Sequence, residues 1–409
     1  MVYQTNSNAL IAYKKQAALG TAATGTGASI LRIAGGNGLR LSKAAINSAE
    51  VRNDGMSTRG RHGTQAIAAT YNAEVSLGSH DPILEAIMRS TWDSSTLTKT
   101  QADFTSLTTG ANSIILTSGN PITLGFRVGD VIRATGLPDA ANNSKNLRIT
   151  GLSATTITVA ETLIVNGTPD TSCSLTRPGK RLINPATLSK AYFTLEEYEG
   201  DIDRSTLAQD FVWGQVKFSM AANGLMMAEV SGTGTGNIQA LATGASPYYT
   251  SPAATTDVPF SVVDATIRLG GVDVVELTSF DLTLNIAPEA PATFGSGAQK
   301  YSPDVFTNPV QLGMNITALR KDLNYLADFI AETPYTLNVL AVDNMSEPKD
   351  FLSITVPNFT LGSVDPSAFA KTGGARTQTI AIPNALAGVS TNSAGGFDPT
   401  MIAFQTTAP

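Results

Sequence analysis

The chain has 409 residues, enough for two or three domains that each bury a core. Its net charge of −6 gives no sequence-wide reason to expect nucleic acid to be gripped, and only 15% of its residues are charged, against roughly 25% in ordinary soluble domains. The lone Cys173 excludes an internal disulfide and a cysteine-based metal site, so stability must come from packing or association. No stretch reaches the length of a spanning helix, and Lys14 and Lys15 interrupt any signal-like apolar run at the start, so use without membrane insertion is expected.

Residues 1–28 are small, polar and glycine-punctuated and read as an extended arm. Residues 30–41 predict two strands joined by a Gly-Gly-Asn-Gly turn at 35–38. A long loop over 47–63 follows, with Glu50, Arg52, Asp54, Arg59, Arg61 and His62, the densest charge cluster in the chain. Loops beyond about 12 residues without structure of their own are usually functional or disordered. Ile67, Ala69, Tyr71, Ala73 and Val75 then alternate with Ala68, Thr70, Asn72 and Glu74, the period of a strand with one apolar face. Ser79 or Asp81 supplies a helix cap, Pro82 a first-turn residue, and Ile83, Leu84, Ile87 and Met88 recur at helical spacing.

Residues 104–180 change texture to short strands and turns (IILTS, GFRVGDVIRATG, NLRITGLSATTITVAETL) without a helical period, which predicts a small inserted all-β module. Strands resume at 191–198, and residues 215–230 form a hairpin about Asn223-Gly224. Residues 232–259 are rich in Gly, Thr, Ala and Pro, and the linker proper is set at 241–259.

The order then recurs. A strand, a Leu-Gly-Gly turn at 269–271 and a long strand over 275–286 follow, with Phe280, Leu282, Leu284 and Ile286 facing one way and Asp281, Thr283 and Asn285 the other. A long loop over 287–309 carries Glu289, Lys300 and Asp304. Val310, Leu312, Met314 and Ile316 next alternate with Gln311, Gly313, Asn315 and Thr317, and Asp322 precedes Leu323, Leu326 and Ile330 at helical spacing. Strands at 351–356 and 376–382 close this unit, and residues 384–409 read as an extended tail. The expected architecture is mainly β: two tandem β-sandwich domains, each with a flanking α-helix, at 29–103 plus 181–240 and at 260–383, with the module of 104–180 inserted in the first.

No catalytic or metal constellation emerges, and no cofactor is expected. His62 reads as solvated and His80 as a helix-entry residue; two histidines and one cysteine cannot assemble a metal cluster. Gly232-Thr233-Gly234-Thr235-Gly236 lacks the Lys-Ser/Thr and the following helix of a phosphate loop. Glu196, Glu197 and Glu199 read as a solvated strand edge.

The segments AYKKQAALGTAATG, ILRIAGGNGLRLSKAAINSAEVRNDGMSTRGRHG and YNAEVSLGSHDPILEAIMRSTW resemble the arm, hairpin, stacking loop and strand–helix unit of the tail tube proteins of long-tailed bacteriophages. GFRVGDVIRATG and LRITGLSATTITV resemble a small β module carried by one branch of that family. The resemblance implies two tail-tube-type β-sandwich domains in a late structural virion protein. Its subunits would form rings with continuous sheets, stacked into a tube that conducts the genome into the host. A duplicated chain would need three copies per pseudo-hexameric ring. Implied partners are other copies of the chain, a tape-measure protein and phage DNA in the lumen, and tail terminator and distal tail proteins at the ends, with assembly in the host cytoplasm. Ring-stacking contacts are expected from Glu50, Arg52, Asp54, Arg59, Arg61, Glu289, Lys300 and Asp304. Lumen-facing positions are expected at Thr70, Asn72, Glu74, Asp281, Thr283, Asn285, Gln311, Asn315 and Thr317, and the inserted module is expected outside the wall. A surface adhesin or carbohydrate-binding β-protein is the rival reading; it calls for more aromatic residues at loop tips than this chain offers.

Overall fold

Long stretches of alternating apolar and polar residues dictate strands, and paired strands need neighbours until every backbone group is bonded. The computed structural model describes residues 3–185, 187–294, 300–343, 347–371 and 373–408. The first part of the chain forms β1 (Ala9–Lys15), β2 (Ile33–Ile46), β3 (Arg61–Glu74), α1 (Asp81–Met88), β4 (Phe193–Glu199), β5 (Arg204–Ala221), β6 (Met227–Gly234) and β7 (Ile238–Leu241). The second forms β8 (Thr266–Leu269), β9 (Leu277–Asn285), β10 (Gln311–Leu319), α2 (Asn324–Ile330), β11 (Tyr335–Val342), β12 (Phe351–Phe359), β13 (Ser363–Pro366), β14 (Thr377–Ile382) and β15 (Ala403–Thr406).

One antiparallel wall runs β2-β3-β6-β5-β9-β10-β14-β13. Each part of the chain contributes four strands in one order: the pair flanking the long loop, then the last wall strand of that part, then the wall strand before it. The outer layer repeats as well. β1 pairs β4, β4 pairs the first half of β5, and that half pairs β7. Likewise β8 pairs β11, β11 pairs β12, and β12 pairs β15. β5 spans both layers in the first part, changing partners at Phe211; β12 and β13 share that task in the second.

A single core lies between the layers, with Ile11, Tyr71, Ile87, Trp213, Phe280, Ile316 and Ile354 all buried in it. Trp213 is its hub, ringed edge-on by Phe211, Tyr13, Tyr71 and Phe193 at centroid distances of 5.0 to 6.5 Å. Such aromatic pairs contribute about 0.5–1.5 kcal/mol each beyond area burial. α1 buries Ile83, Leu84, Ala86, Ile87 and Met88 against β5 and the short strand Lys180–Ile183. α2 buries no residue fully and lies beside β13, with Ile330 exposed.

Three sequence expectations change. Residues 35–38 make no turn: β2 is one strand, and the glycines absorb register shifts between Ile33 and Gly35 and between Gly36 and Gly38. A Cβ on Gly36 would lie 2.4 Å from the Thr70 carbonyl oxygen, so the glycine serves a bulge and a close backbone approach. The first 28 residues are no free arm, since β1 buries Ile11, Ala12 and Tyr13 against the first unit. Nor is the C-terminal stretch simply extended: β15 is a buried strand between β12 and Lys180–Ile183.

The inserted module starts at the strand Leu97–Lys99 and ends at Ser174–Arg177, an eight-stranded sheet with its own core about Phe104, Phe126, Ile132, Ile157 and Leu175. It packs on the face of β11 and β12 turned away from the wall, where Val131 covers Leu340 and Phe351. Gly129 approaches so closely that a Cβ there would lie 2.4 Å from Thr355. Arg148 forks onto Asp273 at 3.0 and 3.1 Å, Asp130 pairs with Arg181 at 3.2 Å, and Arg181 also pairs with Asp398. Gln405, buried in β15, accepts from the Val131 N–H and donates to the Val131 and Pro178 carbonyls. Gln405→Ala leaves these groups buried and unpaired, each such group costing about 1–3 kcal/mol. A clear fall in the urea midpoint is expected; an unchanged midpoint would show that this contact does not hold the module.

Candidate assembly surfaces

The wall has one face on the core and one open face. Cross-strand rows on the open face read Asn72–Glu229–Lys217–Thr283–Gly313, Thr70–Ser231–Gln215–Asn285–Gln311 and Glu74–Met227–Ser219–Asp281–Asn315. Thr317 continues it opposite Ser279 and Thr379. All nine positions assigned to a lumen from sequence therefore share one face of one sheet, each exposed or half-buried. The sequence reading omitted the contribution of the 215–230 hairpin, although its alternation about Val216 and Phe218 marks Gln215, Lys217 and Ser219 as opposite in facing. Lys217 brings a cation to the face: its ammonium lies 3.3 Å from Asp281 and opposite Glu229. Glu74 is engaged by Arg32 at 3.0 Å.

The wall ends in two strands, each bonded on one side only: β2 beside β3, and β13 beside β14. Unbonded edges of this kind template further pairing. β3 bonds β6 only over Ile67–Glu74, so the remainder of β2 and β3 runs on as a two-stranded ribbon carrying the 47–60 loop. An isolated two-stranded ribbon is marginal in water. At its tip Arg52 clasps Asp54, with Nε to Oδ1 at 2.9 Å, and Thr58 donates to Glu50. The Arg52 hydrogen bond holds the Asp54 carboxyl below the usual carboxylate range. Arg59, Arg61 and His62 line a depression at the ribbon's base together with Lys300. At the far end of β3, beyond Val75, a groove is lined by Asp257, Asp264, Asp343 and Asp350 with Leu77 and Val258.

Within the 287–309 loop, residues 300–304 contact the first unit and residues 289 and 306 bond each other. The Lys300 carbonyl accepts from the Gln65 N–H, and Glu289 bridges Phe306 through backbone bonds. Asp304 accepts from Lys190 Nζ and Tyr192 Oη, both at 2.7 Å, and so acts within the chain.

Of the acidic run at 196–199, Glu199 is exposed as expected, but Glu196 and Glu197 are not solvated edge residues. Glu196 is fully buried and accepts from Ser205 Oγ and from the backbone N–H groups of Tyr248 and Tyr249, tying the 241–259 linker to β4. Glu197 accepts from Tyr71 Oη and the Leu39 N–H, both at 2.6 Å, fixing β2 at its bulge. Strand period alone missed both because their partners come from distant segments. His62 lies exposed at the ribbon base, whereas His80 is buried at the entry of α1 with Nδ1 2.7 Å from Ser79 Oγ. Among the described residues no group of three His, Cys, Asp or Glu could hold a metal ion.

These surfaces define a mainly-β, multi-sheet antiparallel protein whose distinctive features are a polar wall face and open strand edges. A family model described as phage tail tube protein matches residues 6–383, and the chain belongs to that family. No curated protein matches it. Membership makes it a structural component of the phage tail that self-assembles into a tube.

Burial lowers the His80 pKa to about 4, so the fold binds the neutral ring. The unfolded chain takes up that proton near pH 6.5, so this stabilisation is complete above 6.5 and is lost as pH falls towards 4, by roughly 3 kcal/mol in all. His80→Gln should flatten the acid limb of stability measured by denaturant titration between pH 7 and 4; parallel limbs would refute it.

Proposed function

We propose that the chain is a tandem duplication of the tail-tube unit and that three copies close into a pseudo-hexameric ring. The units are residues 29–103 with 181–240, and 260–383. The observation carrying this reading is the twice-repeated strand order, which leaves β2 and β13 as the two outer strands of one wall. Joining them between copies removes both edges of the wall, the usual answer to an aggregation hazard in a chain with few guarding charges.

In this reading the polar wall face lines the lumen, which takes up the tape-measure protein during assembly and the genome at ejection. The module stands outside the wall, consistent with its packing on the opposite layer. Rings stack head to tail, the basic ribbon of one meeting the acidic groove at the other end of the next. Tail terminator and distal tail proteins cap the ends, and assembly takes place in the host cytoplasm. Purified protein imaged by cryo-electron microscopy should show tubes of rings with three chains each; six chains per ring would overturn the duplication. Arg59→Glu with Arg61→Glu should leave rings and abolish tubes, because reversed charge at such a contact meets like charge. Tubes of unchanged length and salt resistance would argue against the ribbon as the stacking element.

In this reading the carboxylates Glu74, Glu229, Asp281 and Asp365 face the lumen with the cations Lys217 and Arg40, and Arg32 is engaged by Glu74, so the cations are matched by carboxylates and passing DNA meets no net positive charge to hold it. Asn72→Lys with Asn315→Lys should assemble normally, both sites being exposed, and slow genome ejection in a salt-dependent way. Undiminished ejection at low salt would remove the lumen assignment.

A further inference from the structure

The repeated strand order fixes residue-by-residue equivalences between the two units. Across β4 and β5, Phe193 faces Phe211 and Leu195 faces Ala208; across β11 and β12, Tyr335 faces Phe359 and Leu337 faces Val356. The same bulge thus aligns Phe211 with Phe359. Three residues on, Gly214 aligns with Gly362, and each makes room for a proline: an added Cβ would lie 2.2 Å from Pro288 in one case and 2.3 Å from Pro383 in the other. Two residues further, Val216 aligns with Val364.

From there the wall's register carries the alignment across. Val216 faces Val230, which faces Tyr71; Val364 faces Ile380, which faces Ile316. Four positions back along β3 and β10, Ile67 faces Leu41 and Leu312 faces Leu284. Leu41 on β2 therefore aligns with Leu284 on β9. Within the chain, β5 bonds β9 with Gln215 opposite Asn285, Val216 opposite Leu284, Lys217 opposite Thr283 and Phe218 opposite Leu282.

We propose that β13 of one copy bonds β2 of the next in this same register: Ser363 opposite Ser42, Val364 opposite Leu41, Asp365 opposite Arg40 and Pro366 opposite Leu39. The inference rests on the ring reading and adds its contact residues. Two features independent of the alignment favour it. The register sets the only carboxylate of β13 against the arginine of β2, and opposite charges directly across a strand pair are favourable. Both groups now make local, exchangeable contacts: Arg40 with Asn37 Oδ1 at 3.0 Å, and Asp365 with Ser363 Oγ at 2.7 Å. Leu41 points to the same side as buried Ile67 yet is 43% exposed, because no strand covers it beyond β2. Val364 opposite it completes that row.

The test is Ser42→Cys with Ser363→Cys in the full chain. Cys173 is buried, and burial pushes its thiol up to about 11, so it stays out of the reaction. Directly paired strand residues lie within disulfide reach. Mild oxidation of assembled tubes should give a non-reducing ladder ending at three chains, and Ser42→Cys with Asp365→Cys should give far less product. If the cysteine pair does not assemble, charge reversal decides: Arg40→Asp or Asp365→Arg alone should raise the concentration needed for assembly about fivefold, and both together should restore it. Unmodified protein that forms three-chain rings without in-register cross-linking, or without rescue by the double reversal, overturns the register and leaves the ring reading standing. Absence of rings from the unmodified protein instead removes the ring reading itself.

Discussion

The strand from Arg204 to Ala221 is the constraint on which the molecule depends. Its first half is bonded by β4 and β7 and its second by β6 and β9, so it belongs to both layers and to the junction between the two units. The partner change occurs where Asp210 adopts a positive φ of 55° and the register slips between Trp213 and Gln215. Trp213 is thereby pointed into the core, where Tyr13, Tyr71, Phe193 and Phe211 enclose it. Because unpaired buried backbone groups cost as much as lost hydrogen bonds, a strand bonded on both sides along both halves leaves the layers no freedom to slide. The wall is as a result a single surface rather than two domains on a hinge, and its polar rows run unbroken from Asn72 to Gly313.

Long alternating strands and the helices α1 and α2 were legible because one face of each is apolar, and periodicity reports that directly, whereas the one-turn helix Gln101–Phe104 was not. The nine wall positions were legible for the same reason. What period could not report is pairing order. β1 and β15 are short, each flanked by glycine- or threonine-rich chain, and their burial is supplied by partners some 180 and 50 residues away. The glycines at 35–38 carry the composition of a turn, yet Glu197 and Thr70 turn them into a bulge. One signal was present and unread: Phe211-Val-Trp-Gly214-Gln-Val216 and Phe359-Thr-Leu-Gly362-Ser-Val364 share Phe, Gly and Val at the same spacing, which marks the layer crossing in both units.

The two units are not equally finished within one chain. α1 is sealed between β5 and Lys180–Ile183, where Lys180 pairs with Asp81 at 2.8 Å and stacks over Trp92. α2, its counterpart, lies at the chain's open edge with Tyr325 and Phe329 half-buried and Ile330 bare. The inserted module makes up part of the difference on the outer layer, covering Leu340 and Phe351 and drawing Asp130, Arg181 and Asp398 into one buried ionic group. Such a group is strongly destabilised by loss of one member, so module, C-terminal segment and outer sheet are held to one geometry.

That asymmetry follows from covalent linkage. At the junction of β5 with β9 the partners belong to one chain, and evolution can fill the seam with apolar pairs such as Val216–Leu284 and Phe218–Leu282 without the chain sticking to anything else. At the open ends the same seam must stay soluble until a partner arrives, and bare apolar pairs there would invite the wrong one. Asp365 and Pro366 replace Lys217 and Phe218 of the internal seam, and Arg40 replaces Thr283. A charge and a proline on one edge and an opposite charge on the other discourage each edge from pairing with its own kind, while leaving the two complementary to each other. On the proposed register the internal junction supplies the geometry of the seam between copies, and the departures from it at β2 and β13 would keep each edge open for a second copy alone.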